Sequence, residues 1–482
     1  MRKSKAIHLL QSLQPFEFDR LRLFAQSPYC NPNKNALLLL EKLRAFYPDF
    51  KSDALEKKRF FKKIYPHKKF NEAYLRKQLS GLYQMTKAFL ATEEWHQRED
   101  LQQRLLLRQL QQRNLEAIFH IHFDQFSKEL QNRPQKDGAF FHQAFQLAHE
   151  ADQYYGRLEL AEQRAALQAK VDNLDVFYLL QKLEATCEML HHTQTNGSKF
   201  RLLLVKELVD FLENNQESAL HSTAIKVYHQ LLKMMVYQND KEHYFNLIDL
   251  LQEFQHYFGK EELAKFFFYA EHYCLRQIKQ GDQEFLHHLF ESYQLQLECA
   301  VCTDESFFAE ETYQKMATLA LGLKHYDWAE KFIYAYREQL DPKIEHDLFH
   351  LQKAALYYHK GRYDDAIQLL QNVQFSNVQN EINGQFLLFK TLFDDDQPEL
   401  LLAKLDDFNL RLMRMNTLST LEKQGVKNFT VLLKRIVLLH RQSAQWTRQE
   451  YLDRKVKVAE RLHQVDPLFK GTWLKEIFAR LS

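Results

Sequence analysis

The chain has 482 residues, of which 45% are apolar, 13% aromatic and 27% charged, with only 11 Gly and 9 Pro. So few turn-forming residues exclude an all-β sandwich and a low-complexity chain, and leave a helix-rich globular protein with two or three cores or an extended repeat array. The net charge of +2 conceals a division: residues 1–100 carry 20 Lys and Arg against 11 Asp and Glu, residues 401–482 carry 16 against 8, and residues 101–400 carry 29 against 44. Basic ends around an acidic body bear on partners rather than on fold.

The opening run from Met1 to Phe18 alternates Leu with His and Gln and lacks the continuous apolar stretch of a signal peptide. Five of the nine prolines, Pro15, Pro28, Pro32, Pro48 and Pro66, fall in the first 66 residues. Proline cannot donate into a helix interior, so this region is expected to form short, punctuated helices, a basic helical module over 1–100. Asp53 followed by Glu56 reads as a capping box opening a helix through about Tyr65, and Asn71 opens a longer one toward Glu94. Between them, Lys57, Lys58, Arg59, Lys62, Lys63, Lys68 and Lys69 are interleaved with Phe60, Phe61, Ile64 and Tyr65. That mixture is compatible with a helix-turn-helix laid on nucleic acid, with Tyr74, Arg76 and Lys77 early in the second helix. The spacing equally puts Phe60, Phe61 and Ile64 on one buried face and leaves the lysines as its solvated back.

From Leu101 onward, apolar residues recur every three or four positions, which predicts helices of roughly 12 to 20 residues separated by short turns over 101–482. Ile225, Tyr228, Leu232, Met235 and Val236 make a single stripe, so that helix should pack on one neighbour. Between Leu263 and Ile278, Phe266, Phe267, Phe268, Tyr269, Ala270, Tyr273 and Cys274 wrap most of the circumference and predict an inner helix. No run of 18 apolar residues occurs, and the densest, Phe266 to Ala270, is bounded by Lys265 and Glu271; no membrane span is expected. Gly281, Gly322 and Gly361, and again Gly384 and Gly425, recur near every 40 residues and read as turns of two-helix repeats.

Two segments within 310–375 carry a resemblance to the tetratricopeptide-type α-solenoids. In one, Tyr357, Gly361, Tyr363, Ala366, Ile367 and Leu370 follow that family's order, with Gly361 at the turn and Ala366 at the helix crossing. In the other, Met316, Ala317 and Ala320 lie on the first helix and Tyr326, Ala329 and Ile333 on the second, with Lys324 in place of the turn glycine. The stretch Ser27, Pro28, Tyr29, Asn31, Asn33, Lys34 also resembles the opening of a further set of helical-repeat proteins, which implies no activity. The tetratricopeptide resemblance implies an all-α, right-handed α-solenoid of stacked hairpins behind the N-terminal module. Such arrays offer surfaces that bind peptides or helices of other proteins.

Candidate chemistry is sparse. Cys299 and Cys302 form a Cys-x-x-Cys that reads either as a redox pair, as half of a zinc site recruiting a ligand such as His325, or as two buried thiols at a helix end. No second Cys-x-x-Cys exists and the setting is helical, which favours the last reading. His346 and His350 share a helix face but lack the glutamate of a metalloprotease motif, and Asp394, Asp395 and Asp396 lack the alternating ligands of a calcium loop. With glycines spread singly and no serine elbow, the expectation is a cytoplasmic, non-catalytic scaffold that needs no cofactor or metal and binds a protein or peptide. The alternative is an RNA- or DNA-associated protein working through the basic N-terminal module.

Overall fold

The computed structural model describes residues 1, 4–31, 34–214, 222–304, 307–415, 417–442 and 446–480. Among them are 23 α-helices, and strand pairing is limited to Thr303 with Phe308 and Asp304 with Phe307. No helix among the described residues is long and apolar enough to cross a membrane. The chain divides into two compact units, Met1–Gln181 and Lys182–Ser482.

In the first unit, the short helices Lys5–Ser12, Pro15–Gln26, Lys34–Leu43 and Lys57–Ile64 pack with the long helix Glu72–Gln97 around Ile7, Leu10, Phe18, Leu21, Leu39, Leu40, Phe60, Leu82 and Phe89. Pro15 sits at the first helical position, where no amide donor is needed. Asn71 opens Glu72–Gln97 by accepting from the Tyr74 amide at 2.9 Å. The expected box between Asp53 and Glu56 is not formed. Ser52 caps a short 3-10 turn at Asp53–Leu55, and Glu56 itself caps Lys57–Ile64, accepting from the amides of Lys58 and Arg59 at 3.2 and 3.0 Å. A separate core follows, in which Glu99–Gln112, Glu116–Gln131 and Gly138–Arg157 bury Leu107, Leu110, Phe126, Leu130 and Leu147 around Phe119 stacked on Tyr154 at 4.0 Å.

In the second unit, consecutive helices pack as hairpins, and several also meet the next helix but one. Glu345–His359, for example, contacts Tyr363–Asn372, Glu310–Gly322 and Val378–Asp394. Two helices depart from the sequence expectation. Thr223–Val236 buries Ala224, Ile225, Val227, Tyr228, Leu231, Leu232, Met234 and Met235, two faces rather than one stripe, while Val236 is exposed. Lys260–Lys279 buries Phe266, Phe267, Ala270, Tyr273 and Cys274 but turns Phe268 outward.

One backbone device closes seven helices among the described residues. A residue with positive φ ends the helix, and the next amide donates to the carbonyl five positions back, the Schellman arrangement. It occurs at Asn114, Glu159, Gly281, Ala300, Lys324, Gly361 and Asp396, with closing bonds of 2.9 to 3.2 Å, among them His325 to Ala320 and Arg362 to Tyr357. Only two of these positions are glycine, so the glycine spacing marks turns at Gly281 and Gly361 alone. Gly322 is the last residue of its helix, two positions before the left-handed residue Lys324. Gly384 and Gly425 lie inside helices Val378–Asp394 and Thr420–Gln442; at Gly384 a Cβ would come within 2.5 Å of the Phe375 ring.

A side chain in the left-handed region carries steric strain that glycine escapes. Lys324→Gly is therefore expected to stabilise the protein by about 0.5–1 kcal/mol, and Gly361→Ala to destabilise it by about 1 kcal/mol. Thermal melting of the two variants checks both signs.

Candidate functional site

The apolar face and three of the seven basic side chains of the segment are engaged within its own module. Phe60, Phe61 and Ile64 are buried. Lys57 pairs with Glu72 at 2.6 Å, Lys63 lies 5.5 Å over the Phe46 ring, and Lys68 lies 5.3 and 4.8 Å over Tyr65 and Tyr74. Tyr74 packs edge-on against Phe61 and Tyr65, and Arg76 pairs with Glu72 at 3.2 Å. Lys58, Arg59, Lys62 and Lys69 are exposed. The connection between the two helices runs over residues 65–71, longer than the three- to four-residue turn of a helix-turn-helix.

The positions picked out by the repeat pattern sit along two hairpins. Met316, Ala317, Ala320, Ala329, Ala366 and Leu370 are buried, and the small alanines let Glu310–Gly322 approach Tyr326–Ala335, and Glu345–His359 approach Tyr363–Asn372. Tyr326, Tyr357 and Tyr363 are half-buried, with Tyr357 stacked under the Arg362 guanidinium at 4.5 Å, and Gly361 is exposed in the left-handed conformation at φ +73°. Asn33 of the N-terminal resemblance lies outside the described residues.

The motifs weighed for chemistry are locally engaged. All five cysteines are free. Cys299 caps Phe285–Glu298 with its Sγ 3.2 Å from Gln255 Oε1, and burial, with the neighbouring Cys299, pushes the Cys302 thiol up to about 12, far from a neutral-pH thiolate. The His346 and His350 rings lie 4.4 Å apart, but His350 Nδ1 donates to the His346 carbonyl at 2.7 Å, and His325 stacks on Phe290. Asp394 accepts from the Tyr358 hydroxyl, Asp395 accepts from Gln397, and Asp396 is the left-handed residue of its turn. Among the described residues, no group of three or more His, Cys, Asp and Glu side chains is placed to hold a metal ion.

A surface that the motif reading missed lies on the helix Gln163–Asn196, which at 34 residues is longer than any the sequence led one to expect. Its portion within the first unit is held by Lys170 to Asp152 at 3.0 Å and by Phe177 stacked on His142 at 4.8 Å, and it buries Ala166, Val176, Leu179 and Leu180. The opposite side exposes Leu167 (46%), Val171 (43%), Leu174 (40%) and Tyr178 (52%). Their 4-3-4 spacing is that of a coiled-coil seam, and Asp175 is exposed beside it with no ion pair among the described residues. Single exposed apolar residues are ordinary, but a contiguous row on one helix face marks an interaction surface. The signal was present in the sequence as two apolar stripes on one helix; which of them is covered depends on what packs against it.

No protein-family model matches this chain, and no curated protein matches it either.

Proposed function

We propose that the chain is a non-catalytic cytoplasmic scaffold that binds an amphipathic helix of a partner protein along Leu167, Val171, Leu174 and Tyr178. The single observation that carries this reading is that unpartnered seam, spaced as one strand of a helix pair. The acidic flank at Asp175 favours a partner helix with Lys or Arg beside its apolar row. The five free thiols accord with a reducing compartment. The hairpins within Lys182–Ser482, with buried Ala366 at a helix crossing and Gly361 at the turn, support a right-handed tetratricopeptide-like α-solenoid as the rigid part of the scaffold.

A photo-crosslinking amino acid placed at Val171 or Leu174, and at Ala169 on the opposite side as control, tests this in cells. The expected result is one defined polypeptide captured at both seam positions and not at Ala169, with its crosslinked peptide mapping to an amphipathic helix. Capture of RNA, of a second copy of this chain only, or of nothing above the Ala169 background overturns the proposal.

A further inference from the structure

A cleft of about 430 Å³ opens within the second unit between the C-terminal half of Gln163–Asn196, Thr223–Val236 and Lys260–Lys279. Four basic side chains line it: His191 from the first helix, and His272, Arg276 and Lys279 from the third. The two imidazole rings lie 4.7 Å apart. Arg276 is half-buried, packs 5.6 Å over the Tyr273 ring and donates from Nη1 to Gln194 Oε1 at 3.2 Å, and Gln194 is itself anchored by donating to the Met235 carbonyl at 3.0 Å. The guanidinium is thus aimed, yet its Nε is buried without a hydrogen-bond partner and it meets no carboxylate among the described residues.

Of the acidic groups around the cleft, Glu188 is exposed 4.0 Å from His192, and two others are taken by lysines. Glu184 is taken by Lys265 at 2.9 Å, and Glu271 by Lys315 at 2.8 Å. Lys279 is exposed and in no ion pair among the described residues. A cationic group left half-buried without a counter-charge loses hydration that nothing in the protein restores, so the arrangement has an unmet demand for an anion. Burial, together with the neighbouring His272 and His192, holds His191 below the ordinary imidazole value. Burial also lowers His272, with Glu271 opposing and Lys315, Lys279 and Arg276 reinforcing. Both rings are thus biased toward the neutral form, in which each still presents one N–H.

We propose that this cleft binds a small phosphate monoester, with the phosphate on Arg276 and Lys279 and the organic group against Met234 and Tyr269. Two cations with no acid between them match a dianion better than a carboxylate, and the planar guanidinium fork suits tetrahedral oxygens. The volume exceeds what a phosphate alone occupies and falls in the range of small-molecule sites.

The test titrates the full chain with phenyl phosphate, inorganic phosphate and benzoate, followed by calorimetry and by the imidazole resonances of His191 and His272. Phenyl phosphate is expected to bind tightest and to move both resonances while leaving those of His346 and His350 in place. Arg276→Met is expected to weaken binding about tenfold or more at unchanged melting temperature, and Lys279→Ala by a smaller factor. Because Arg276 has no acidic partner to strand, its replacement does not threaten folding; the exposed Lys279 supplies a second variant independent of packing. No binding of phenyl phosphate, equal binding of benzoate, or full affinity in Arg276→Met each overturns the proposal.

Discussion

Replacing Asp347 with alanine is expected to destabilise the C-terminal hairpins by about 3 kcal/mol, a large loss for a single side chain. Asp347 is 1% exposed on the helix Glu345–His359, and its carboxylate collects four hydrogen bonds from the connection between Tyr363–Asn372 and Val378–Asp394. It accepts from the Ser376 amide at 2.9 and 3.1 Å, from the Ser376 hydroxyl at 2.9 Å and from the Asn377 amide at 2.9 Å. Those amides stand at the entry to Val378–Asp394, so the carboxylate ties one hairpin to the start of the following one. Alanine removes the acceptor and leaves the Ser376 and Asn377 amides without the partner that fixes this connection, which costs more than the bonds themselves are worth.

The same site fixes a pH signature. Burial alone would raise the Asp347 carboxyl, but the donors from Ser376 and Asn377, with His346 beside it, outweigh burial and hold it below the ordinary aspartate value of 3.8. A carboxyl with a depressed native pKa contributes stability that is complete above its unfolded value and is lost as pH falls through the native one. The difference in melting temperature between the native protein and Asp347→Ala should accordingly be full at neutral pH and close progressively below about pH 4. An Asp347→Ala protein that melts with the native one at neutral pH, or a difference that persists unchanged in acid, would refute the assignment.

Ala366→Glu is expected to cost about 3–5 kcal/mol. Ala366 is fully buried on Tyr363–Asn372, where that helix lies against Glu345–His359 and Val378–Asp394. A glutamate there has neither room nor a cation, so it enters the crossing as an unpaired charge or forces the helices apart. Asp364→Ala, two positions earlier on the exposed side of the same helix, is expected to change stability by no more than about 0.5 kcal/mol and serves as the control. Equal melting of the two variants would show that Ala366 is not at a helix crossing.

Helix content was legible because the three- and four-residue spacing of apolar side chains is a local property, set by the pitch of the helix and independent of what lies opposite. The same holds for Asn71 as a cap and for the buried face Phe60, Phe61 and Ile64. Glycine marked the turns at Gly281 and Gly361, and the repeat pattern put Lys324 at a third. Lys324 and Asp396 close their helices with the same bond as Gly361, because a satisfied backbone donor and packed flanking helices outweigh roughly 1 kcal/mol of left-handed strain. Glycine spacing therefore suggested a period that the hairpins do not keep, and it enlisted Gly384, whose missing side chain makes room for Phe375.

The candidate sites divide along the same line. The sequence by itself determined which side chains each helix presents, and so an all-α chain with basic ends, a lysine-rich segment and few catalytic motifs. It could not show that Lys57 finds Glu72 and that Lys63 and Lys68 lie on aromatic rings, since those partners come from other elements. Only the tertiary structure decided that Val176 and Leu179 are covered while Leu167, Val171, Leu174 and Tyr178 are not, and that Arg276 reaches Gln194 and, among the described residues, no carboxylate. Periodicity reports the face on which a side chain stands, whereas burial and charge compensation depend on which surface three-dimensional packing brings against that face.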